Sequence, residues 1–313
     1  MTRSALRPIR IATRASRLAL WQAKHVADLL RSANPQLAVD LVHVTTTGDR
    51  DQSGRLSSFG GLGVFTREVQ RAVLDGHADL AVHSLKDLPT ESAAGLVLAA
   101  VPAREETTDA LVLPAGHRGI TEIAALPAGA RLGTGSLRRR AQLWNVRRDL
   151  QMLDVRGNVE TRIAKLDAGE YDGLVLAAAG LKRLNLAGRI SLDLASPLMY
   201  PAVGQGALGI ECRQDDDHTF ALLAQIDDAE TRRCVTAERA LLGHLRAGCH
   251  APVGAATSID GEELLLEAVV LIPAGTERLL ASGRSSAADS AALGREVAER
   301  LLRQGAGRLI SRA

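Results

Sequence analysis

Aromatic residues are scarce in this 313-residue chain, where Phe, Trp and Tyr together make up 2% of the sequence. Proteins that bind single-stranded nucleic acid without sequence preference stack bases on exposed rings, so this scarcity argues against that class. The formal net charge is +2, which is too small for a general polyanion binder. Any basic chemistry must therefore come from local clusters of arginine and lysine.

Cysteines and long apolar runs are also few. Cys212, Cys234 and Cys249 are separated by long gaps, with no CxxC pair and no metal-ligand spacing, which argues against a disulfide framework and a zinc site. Cysteines that are not paired in disulfides are typical of proteins in a reducing compartment. No run of about 18 apolar residues is present, and the basic segment 1–10 lacks the apolar core of a signal peptide. We therefore expect a cytoplasmic protein that does not span a membrane.

Strand and helix signals alternate through the first two thirds of the chain. The segments 16–31 and 137–148 have the spacing of helices. The segments with the pattern of strands include 37–46, 79–83, 110–113, 131–133 and 172–178. This alternation predicts parallel or mixed sheets covered by helices. Because the pattern occurs twice, we expect two α/β lobes of similar size.

The pattern changes after about residue 229. A predicted helix over 230–245 is followed by strand-like segments at 254–258, 263–271 and 277–283, and then by a final helix. Asp260-Gly261 is a hairpin turn signal between the first two of these strands. The C-terminal part is therefore predicted to be a small α+β domain, separate from the α/β lobes.

Polar and charged residues cluster just after the predicted strands of the two lobes. In open α/β sheets, ligands bind outside the carboxyl ends of the strands. We therefore expect these residues to line one crevice between the lobes. They are Arg14, Ser16, Ser84, Lys86, Asp87, Thr134, Ser136, Arg138, Arg139 and Arg156.

The segment 133–140, GTGSLRRR, joins a glycine-rich turn to three consecutive arginines. Ser136 is typical of an N-cap, which places Arg138, Arg139 and Arg140 in a first turn, where each positive charge costs about 0.3–1 kcal/mol against the helix dipole. A bound carboxylate or phosphate would reverse that cost, so the segment predicts an anion site. A solvated basic face and a nucleic-acid patch are the alternatives. No Lys-Ser or Lys-Thr closes a P-loop.

Asp87 and Cys249 are the candidate reactive side chains. Asp87 can stabilise a developing positive charge and carry protons; the alternative is a surface ion pair with Lys86. Cys249 has small neighbours and suits covalent chemistry; the alternative is an unreactive loop thiol. The Gly/Ser-rich stretch 47–63 predicts either a surface loop or a mobile lid over a cleft.

Seven segments together resemble the porphobilinogen deaminase (hydroxymethylbilane synthase) family. Their order and spacing match that family over nearly the whole chain. Each segment alone is modest evidence for the family, but the seven together are specific to it. In chain order they are RIATRASRLALWQ (10–22), AVHSLKDLPT (81–90), GTGSLRRR (133–140), RGNVETR (156–162), LAAAGLKRL (176–184), PAVGQGALGIECR (201–213) and AGCHAPVG (247–254).

The resemblance implies three domains and a covalent cofactor. Two domains would be lobes like those of periplasmic binding proteins: domain 1 over 1–103 and 202–225, and domain 2 over 104–201. The small domain 3, over 226–313, would carry the cofactor, a dipyrromethane joined by a thioether to Cys249. This primer is built from substrate and is not released with the product.

The resemblance also implies roles for the residues at the strand ends. Asp87 would be catalytic, and no metal would be needed. The residues implied to bind the cofactor carboxylates are Lys86, Ser84, Thr134, Ser136, Arg138, Arg139 and Arg156. Those implied to bind the incoming substrate or the growing chain are Arg14, Ser16, Arg162, Arg183, Gln22 and Gln205.

The implied activity is a transferase reaction, in which four porphobilinogen molecules are joined head to tail to give the linear tetrapyrrole hydroxymethylbilane, with release of ammonia. Every pyrrole brings two carboxylates, and the guanidinium fork of arginine pairs with carboxylates in a bidentate way. The expected partners are porphobilinogen and the growing oligopyrrole, with no nucleic acid and no membrane. The chain is expected to act as a monomer.

Two other functions compete with this one. A non-enzymatic two-lobed carboxylate-binding protein would share the lobes and the arginines, but it would not need Cys249. A nucleic-acid binder using the 138–140 arginines is disfavoured by the low aromatic content and the near-neutral charge. The chain departs from the family pattern at Leu62, where a lysine is usual, and this removes the basis for a lysine contact between the 47–63 stretch and the cofactor.

Overall fold

The computed structural model describes residues 7–45, 66–117, 119–248 and 251–311. The chain divides into two compact units: the first comprises Met1–Arg104 and Ala207–Arg232, and the second comprises Glu105–Gly206 and Arg233–Ala313. The division into three domains stays a prediction. Within the described ranges, none of the helices combines the length and the apolar character needed to cross a membrane.

The elements alternate along the first two thirds of the chain, as the sequence predicts. The strands are β1 (Ile9–Thr13), β2 (Val39–His43), β3 (Leu80–Ser84), β4 (Leu96–Ala100), β5 (Asp109–Val112), β6 (Arg131–Gly133), β7 (Gln151–Leu153), β8 (Gly173–Ala177), β9 (Leu192–Leu194), β10 (Leu208–Arg213), β11 (Val253–Asp260), β12 (Glu263–Leu271) and β13 (Arg278–Ser286). The helices are α1 (Arg17–Ala33), α2 (Arg67–Leu74), α3 (Leu137–Val146), α4 (Val159–Asp167), α5 (Ala178–Arg183), α6 (Asp217–Ala224), α7 (Ala229–His244), α8 (Ser290–Arg303) and α9 (Ala306–Ile310).

The first unit is built on a five-stranded mixed sheet in the order β2-β1-β3-β10-β4. Strand β1 pairs in parallel with β2 and β3, whereas β10 runs antiparallel to β3 and β4. Side chains alternate between the two faces of a strand, so Ile9 and Ile11 pack in one buried cluster with Leu30 of α1, while Ala12 packs in another with Val69 of α2. Both faces of this sheet are therefore covered, as expected for an α/β lobe.

The second unit contains a sheet of the same size, in the order β7-β6-β8-β5-β9. Strand β6 is parallel to β7 and β8, and β5 is antiparallel to β8 and β9. Because β5 runs against β8, its first residue, Asp109, pairs with Ala177, the last residue of β8. Asp109 therefore lies at the edge of the sheet where β6 and β8 end, the edge that binds ligands in such sheets.

The C-terminal part of the second unit forms a three-stranded antiparallel sheet, β11-β12-β13. Asp260 pairs with Glu263 across the first turn, where Gly261 has a positive φ of 59°. Leu293, Val297 and Leu301 of α8 belong to the buried cluster of this sheet. The predicted α+β class of this part is confirmed.

This small sheet packs against α3 through the turn between β12 and β13. Gly275 at that turn has φ 68°, and a Cβ atom there would lie 2.5 Å from the carbonyl oxygen of Ala141. Asn145 donates from Nδ2 to the Gly275 carbonyl at 2.9 Å. Glycine is therefore required both for the conformation and for the close approach, and the contact ties the small sheet to α3.

Asp79 fixes the start of β3 in the first unit. Its buried carboxylate accepts hydrogen bonds from Arg10 Nε at 3.1 Å, from Arg10 Nη2 at 2.9 Å and from the Arg10 main-chain N–H at 2.9 Å, and it pairs with Arg7. Burial by itself would raise the pKa of Asp79, but the hydrogen bonds and charge of Arg10 outweigh it and hold the pKa below its ordinary value. The folded state therefore favours the ionised carboxylate.

Asp79→Asn should lower the free energy of unfolding by about 2 kcal/mol at pH 7, because hydrogen bonds to a charged group are lost. A carboxylate whose pKa is lower in the folded state stabilises the fold above its unfolded pKa of about 3.9, and this contribution is lost as the pH falls through the folded value. Denaturant unfolding of the wild type and of Asp79→Asn at pH 7 and at low pH tests this. A difference in the free energy of unfolding that stayed the same at low pH would contradict it.

Candidate active site

The carboxyl edge of the first sheet carries Arg14, Ser16 and Ser84. Arg14 and Ser16 follow β1, and both are half-buried. Ser16 is the N-cap of α1, as its hydroxyl accepts from the Ala19 main-chain N–H at 3.3 Å. Ser84 ends β3 and accepts at Oγ from Nε2 of the buried Gln22, at 2.8 Å. Gln22 therefore holds Ser84 in place at this edge.

Asp87 and Lys86 stand on a short 3-10 turn, Leu85–Asp87, directly after β3. The turn is anchored because Leu85 is buried and its N–H donates to the Ala207 carbonyl at 3.0 Å, while the N–H of Leu88 donates to Leu85 at 3.1 Å. Asp87 is exposed and Lys86 is half-buried. An exposed carboxylate on a fixed turn can accept a proton from a bound ligand or deliver one to it, and it can stabilise a nearby cation.

A buried polar cluster joins β3, the strand that precedes this turn, to β10 and α2. Its members were not among the predicted site residues. His83 of β3 has Nε2 3.0 Å from Oε2 of Glu211 on β10, and Gln70 of α2 donates from Nε2 to the same oxygen at 2.8 Å. All three side chains are buried. The cluster fixes α2 and β10 against β3, next to Ser84.

The carboxyl edge of the second sheet carries the GTGSLRRR segment. Thr134 is buried, its N–H donates to the Leu153 carbonyl at 2.9 Å, and its Oγ1 accepts from the Ser136 N–H at 3.3 Å. Ser136 is the N-cap of α3, with its side chain accepting from the Arg139 N–H. The predicted cap is confirmed, and it aims the helix N-terminus at this edge.

Arg138 and Arg139, hereafter the arginine pair, converge on Asp109. Arg138 donates from Nη1 to Oδ2 of Asp109 at 2.7 Å, and Arg139 donates from Nε to Oδ1 at 2.9 Å. Arg138 also donates to the Tyr200 carbonyl at 2.6 Å, and Arg139 to the Val175 carbonyl at 2.9 Å. Burial lowers the pKa of Arg138, the charge of Arg139 lowers it further, and Asp109 opposes both effects.

The burial of the arginine pair argues against both alternatives that the sequence left open for this segment. Arg138 and Arg139 are only 4% and 6% exposed, so the segment is not a solvated basic face. Arg140 is half-buried and donates to the Thr134 carbonyl at 3.1 Å and to Asp154. A nucleic-acid patch would likewise need its arginines at the surface. The first turn of α3 is therefore a built cationic site.

Arg156 and Arg162 are half-buried. Arg162 lies on α4 and donates from Nε to the Gly157 carbonyl at 2.8 Å, directly after Arg156. Both residues therefore lie near the turn that follows β7, at the same edge as α3.

Arg183 and Gln205 are buried, at 7% and 0% exposed. Arg183 donates from Nη2 to the Gly206 carbonyl at 2.6 Å, and burial lowers its pKa to about 10. Gln205 donates to the Thr107 carbonyl at 2.7 Å and to Asp109 at 3.0 Å. Among the described residues, the second unit thus gathers the arginine pair and Gln205 on one carboxylate.

Asp109, the carboxylate on which these side chains converge, is not selected by the sequence patterns. The sequence predicts a strand from Ala110, and an aspartate just before an apolar strand is ordinarily a loop residue. The available signal was its position after the charged stretch 104–106, where an acidic side chain precedes a buried strand. Its importance depends on β5 running antiparallel to β8, which the local pattern does not specify.

Cys249, the 47–63 stretch and Leu62 lie outside the described residues, so the predictions made for them stay predictions. Of the two other cysteines, Cys212 lacks the features of a reactive thiol. Cys212 is buried in β10, and burial raises the pKa of its thiol to about 11, so it is protonated at neutral pH. Cys234 lies half-buried on α7.

The chain matches two family models that together span most of its length. One is described as "Porphobilinogen deaminase, dipyromethane cofactor binding domain" and matches residues 9–221. The other is described as "Porphobilinogen deaminase, C-terminal domain" and matches residues 232–303. The first match includes both sheet edges described above.

Curated relatives are similar over nearly the full length. The porphobilinogen deaminase of Syntrophotalea carbinolica is 46% identical over 99% of this chain and 96% of its own. That of Xanthomonas euvesicatoria is 48% identical over 97% of this chain and 98% of its own. Among solved structures, the BenM effector binding domain with benzoate matches with a TM-score of 0.44 and 17% identity, covering 71% of this chain and 91% of its own. The Escherichia coli periplasmic aliphatic sulphonate binding protein SsuA matches with a TM-score of 0.41 and 16% identity, covering 76% and 75%.

Proposed function

Because the chain belongs to the porphobilinogen deaminase family, we propose that it is a transferase that joins four porphobilinogen molecules into hydroxymethylbilane and releases ammonia. The observation that carries the proposal is the buried arginine pair at the capped N-terminus of α3. Such a site is suited to the carboxylates that every pyrrole substrate brings. We further propose that the chain acts in the cytoplasm as a monomer, with domains over 1–103 and 202–225, 104–201, and 226–313.

The side chains at the two sheet edges fit a cofactor that bears acetate and propionate groups, since they are cations, hydroxyls and a helix N-terminus. We propose that they hold a dipyrromethane whose thioether partner is Cys249. When bound, dipyrromethane supplies the pyrrole carbon to which substrate is joined. The residues proposed to bind its carboxylates are Ser84, Lys86, Thr134, Ser136, Arg138, Arg139 and Arg156.

Asp87 is the proposed catalytic residue. Porphobilinogen that loses ammonia becomes a methylene-pyrrolenine cation, and a fixed carboxylate stabilises that charge. The same carboxylate accepts the proton that must leave the pyrrole carbon when the new bond forms. One exposed aspartate on the anchored 85–87 turn can serve both needs, because the two charges develop in succession.

The proposed substrate-binding residues divide into two groups by their charge. Arg14, Arg162 and Arg183 are cations suited to the carboxylates of the incoming pyrrole. Ser16, Gln22 and Gln205 contact other parts of the protein: the α1 N-terminus, Ser84 and Asp109 respectively. We propose that these three support the site by holding its other residues.

Incubation of the purified chain with porphobilinogen tests the proposal. We expect one linear tetrapyrrole for every four ammonia molecules released, measured by the absorbance of the oxidised product and by an ammonia assay. The competing carboxylate-binding function predicts that porphobilinogen binds without being consumed. Consumption without tetrapyrrole formation would also contradict the proposal.

A further inference from the structure

Asp109 is the carboxylate on which the arginine pair converges, and none of the predicted roles includes it. Its side chain is fully buried. It accepts from Arg138 at 2.7 Å through Oδ2, and through Oδ1 from Arg139 at 2.9 Å and from Gln205 at 3.0 Å. Both oxygens are thus engaged by side chains of the proposed site: the arginine pair, which is assigned to the cofactor, and Gln205, which is assigned a supporting role.

The need for such a carboxylate follows from the charges around it. Two adjacent guanidinium groups in the first turn of a helix repel each other and oppose the helix dipole, and long arginine side chains lose about 2 kcal/mol of rotamer freedom when fixed. Asp109 meets both groups from β5, while the carbonyls of Tyr200 and Val175 meet them from other segments. The buried contacts therefore set the direction of each guanidinium before any ligand arrives.

The charge count leaves room for an anionic ligand. The two guanidinium groups and the single carboxylate carry one positive charge in excess among themselves. A site without Asp109 would bury two positive charges side by side, which is costly. With Asp109, the pair is stable in the folded protein and still attracts a carboxylate.

We propose that Asp109 is a positioning residue for cofactor binding: it orients the arginine pair toward the carboxylates of the dipyrromethane. This inference rests on the proposed function. Asp109 acts through Arg138 and Arg139. Its hydrogen bond from Gln205 also joins this cluster to the segment that precedes β10. The chemistry it prepares for is the recognition of a polycarboxylate, so its effect should appear first in the assembly of the cofactor.

Asp109→Asn tests the inference, with Asp79→Asn as the matched control. Both aspartates are fully buried and each accepts side-chain hydrogen bonds from two arginines, but Asp79 lies at the opposite end of its sheet from Asp87. The loaded fraction, which is the share of purified chain whose intact mass includes a dipyrromethane, should fall sharply in Asp109→Asn and stay at the wild-type level in Asp79→Asn. Porphobilinogen added to unloaded Asp109→Asn chain should also increase its mass about 100-fold more slowly than in unloaded wild type.

Kinetics of the loaded chain separate positioning from loss of structure. In loaded Asp109→Asn, kcat should fall about 10- to 100-fold while KM for porphobilinogen stays near that of wild type, because the proposed function assigns the arginine pair to the cofactor and not to the incoming substrate. Asp109→Glu, which keeps the charge, should recover part of the loaded fraction. A loaded fraction and kcat equal to those of wild type in Asp109→Asn would overturn the inference.

A double variant keeps the test decisive if Asp109→Asn does not fold. Asp109→Asn with Arg138→Gln removes one negative and one positive charge, so the net charge of the cluster is unchanged. Its loaded fraction should lie below that of Arg138→Gln alone, since Arg139 has lost its anchor; equal loaded fractions would refute the positioning role. A wild-type chain that neither carries the cofactor nor consumes porphobilinogen would instead refute the proposed function itself.

Discussion

Asp87→Asn should lower turnover of porphobilinogen at least about 100-fold while the chain stays folded. General acid–base catalysis by a placed side chain contributes about 10²- to 10⁴-fold, and in the proposed mechanism the same carboxylate also stabilises the substrate cation. An amide neither carries the proton nor offers a negative charge. Asp87 is exposed, so its replacement removes no buried contact, and the loss should fall on kcat.

Asp40→Asn is a fitting control for Asp87→Asn. Asp40 is an exposed aspartate of β2 in the same sheet, and it has no part in the proposed site. Its replacement should leave kcat and the thermal unfolding midpoint near those of wild type. If Asp87→Asn retained turnover within a few-fold of the Asp40→Asn control, Asp87 would have to be removed from the catalytic role.

Cys249→Ser should abolish turnover altogether. The thiolate is the nucleophile that forms a thioether, and a serine hydroxyl hardly ionises at neutral pH. Without the covalent primer there is nothing to hold the first substrate unit, so activity should fall to the background rate, measured as tetrapyrrole formed over a long incubation.

Cys234→Ser is the control for Cys249→Ser. Cys234 is half-buried on α7 and has no role in the proposed reaction, so we expect its replacement to keep turnover within about twofold of wild type. Loss of activity in both serine variants would point to a general effect of thiol replacement. Persistent activity in Cys249→Ser would show that another group holds the primer.

Local sequence patterns were sufficient to locate most elements of the α/β units. The helix after GTGS begins at Leu137 with Ser136 as its cap, because the capping residue and the apolar spacing are both local signals. The strand predicted at 131–133 is confirmed at its predicted bounds. The strand predicted over 37–46 is shorter, Val39–His43, since strand ends depend on the neighbouring strand rather than on the residues alone.

Three helices or strands of the described α/β sheets and their connections escaped the sequence pattern for different reasons. The helix Ala178–Arg183 follows β8 without a turn, so the predicted strand over 172–178 runs one residue into it. The strand Leu192–Leu194 has only three residues and gains its pairing from β5. The helix Asp217–Ala224 begins within a run of aspartates, which resembles a loop until Asp216 acts as its cap.

The candidate site shows the same division between local and tertiary information. The rule that ligands bind beyond strand ends selects Asp87, Thr134 and Ser136 from the sequence. The burial of Arg138 and Gln205 could not be predicted in this way, because it depends on Asp109 arriving from a strand of opposite direction. Local rules therefore found the positions, and only the folded chain shows how the charges are balanced.

The intact mass of the purified wild-type chain shows whether a covalent primer is attached to Cys249. We expect a mass above that of the 313-residue sequence by two linked pyrrole units, with the addition mapping to the proteolytic peptide that contains Cys249. An active chain whose mass equals that of the bare sequence would refute a covalent primer, and an addition found on any other peptide would refute its attachment to Cys249.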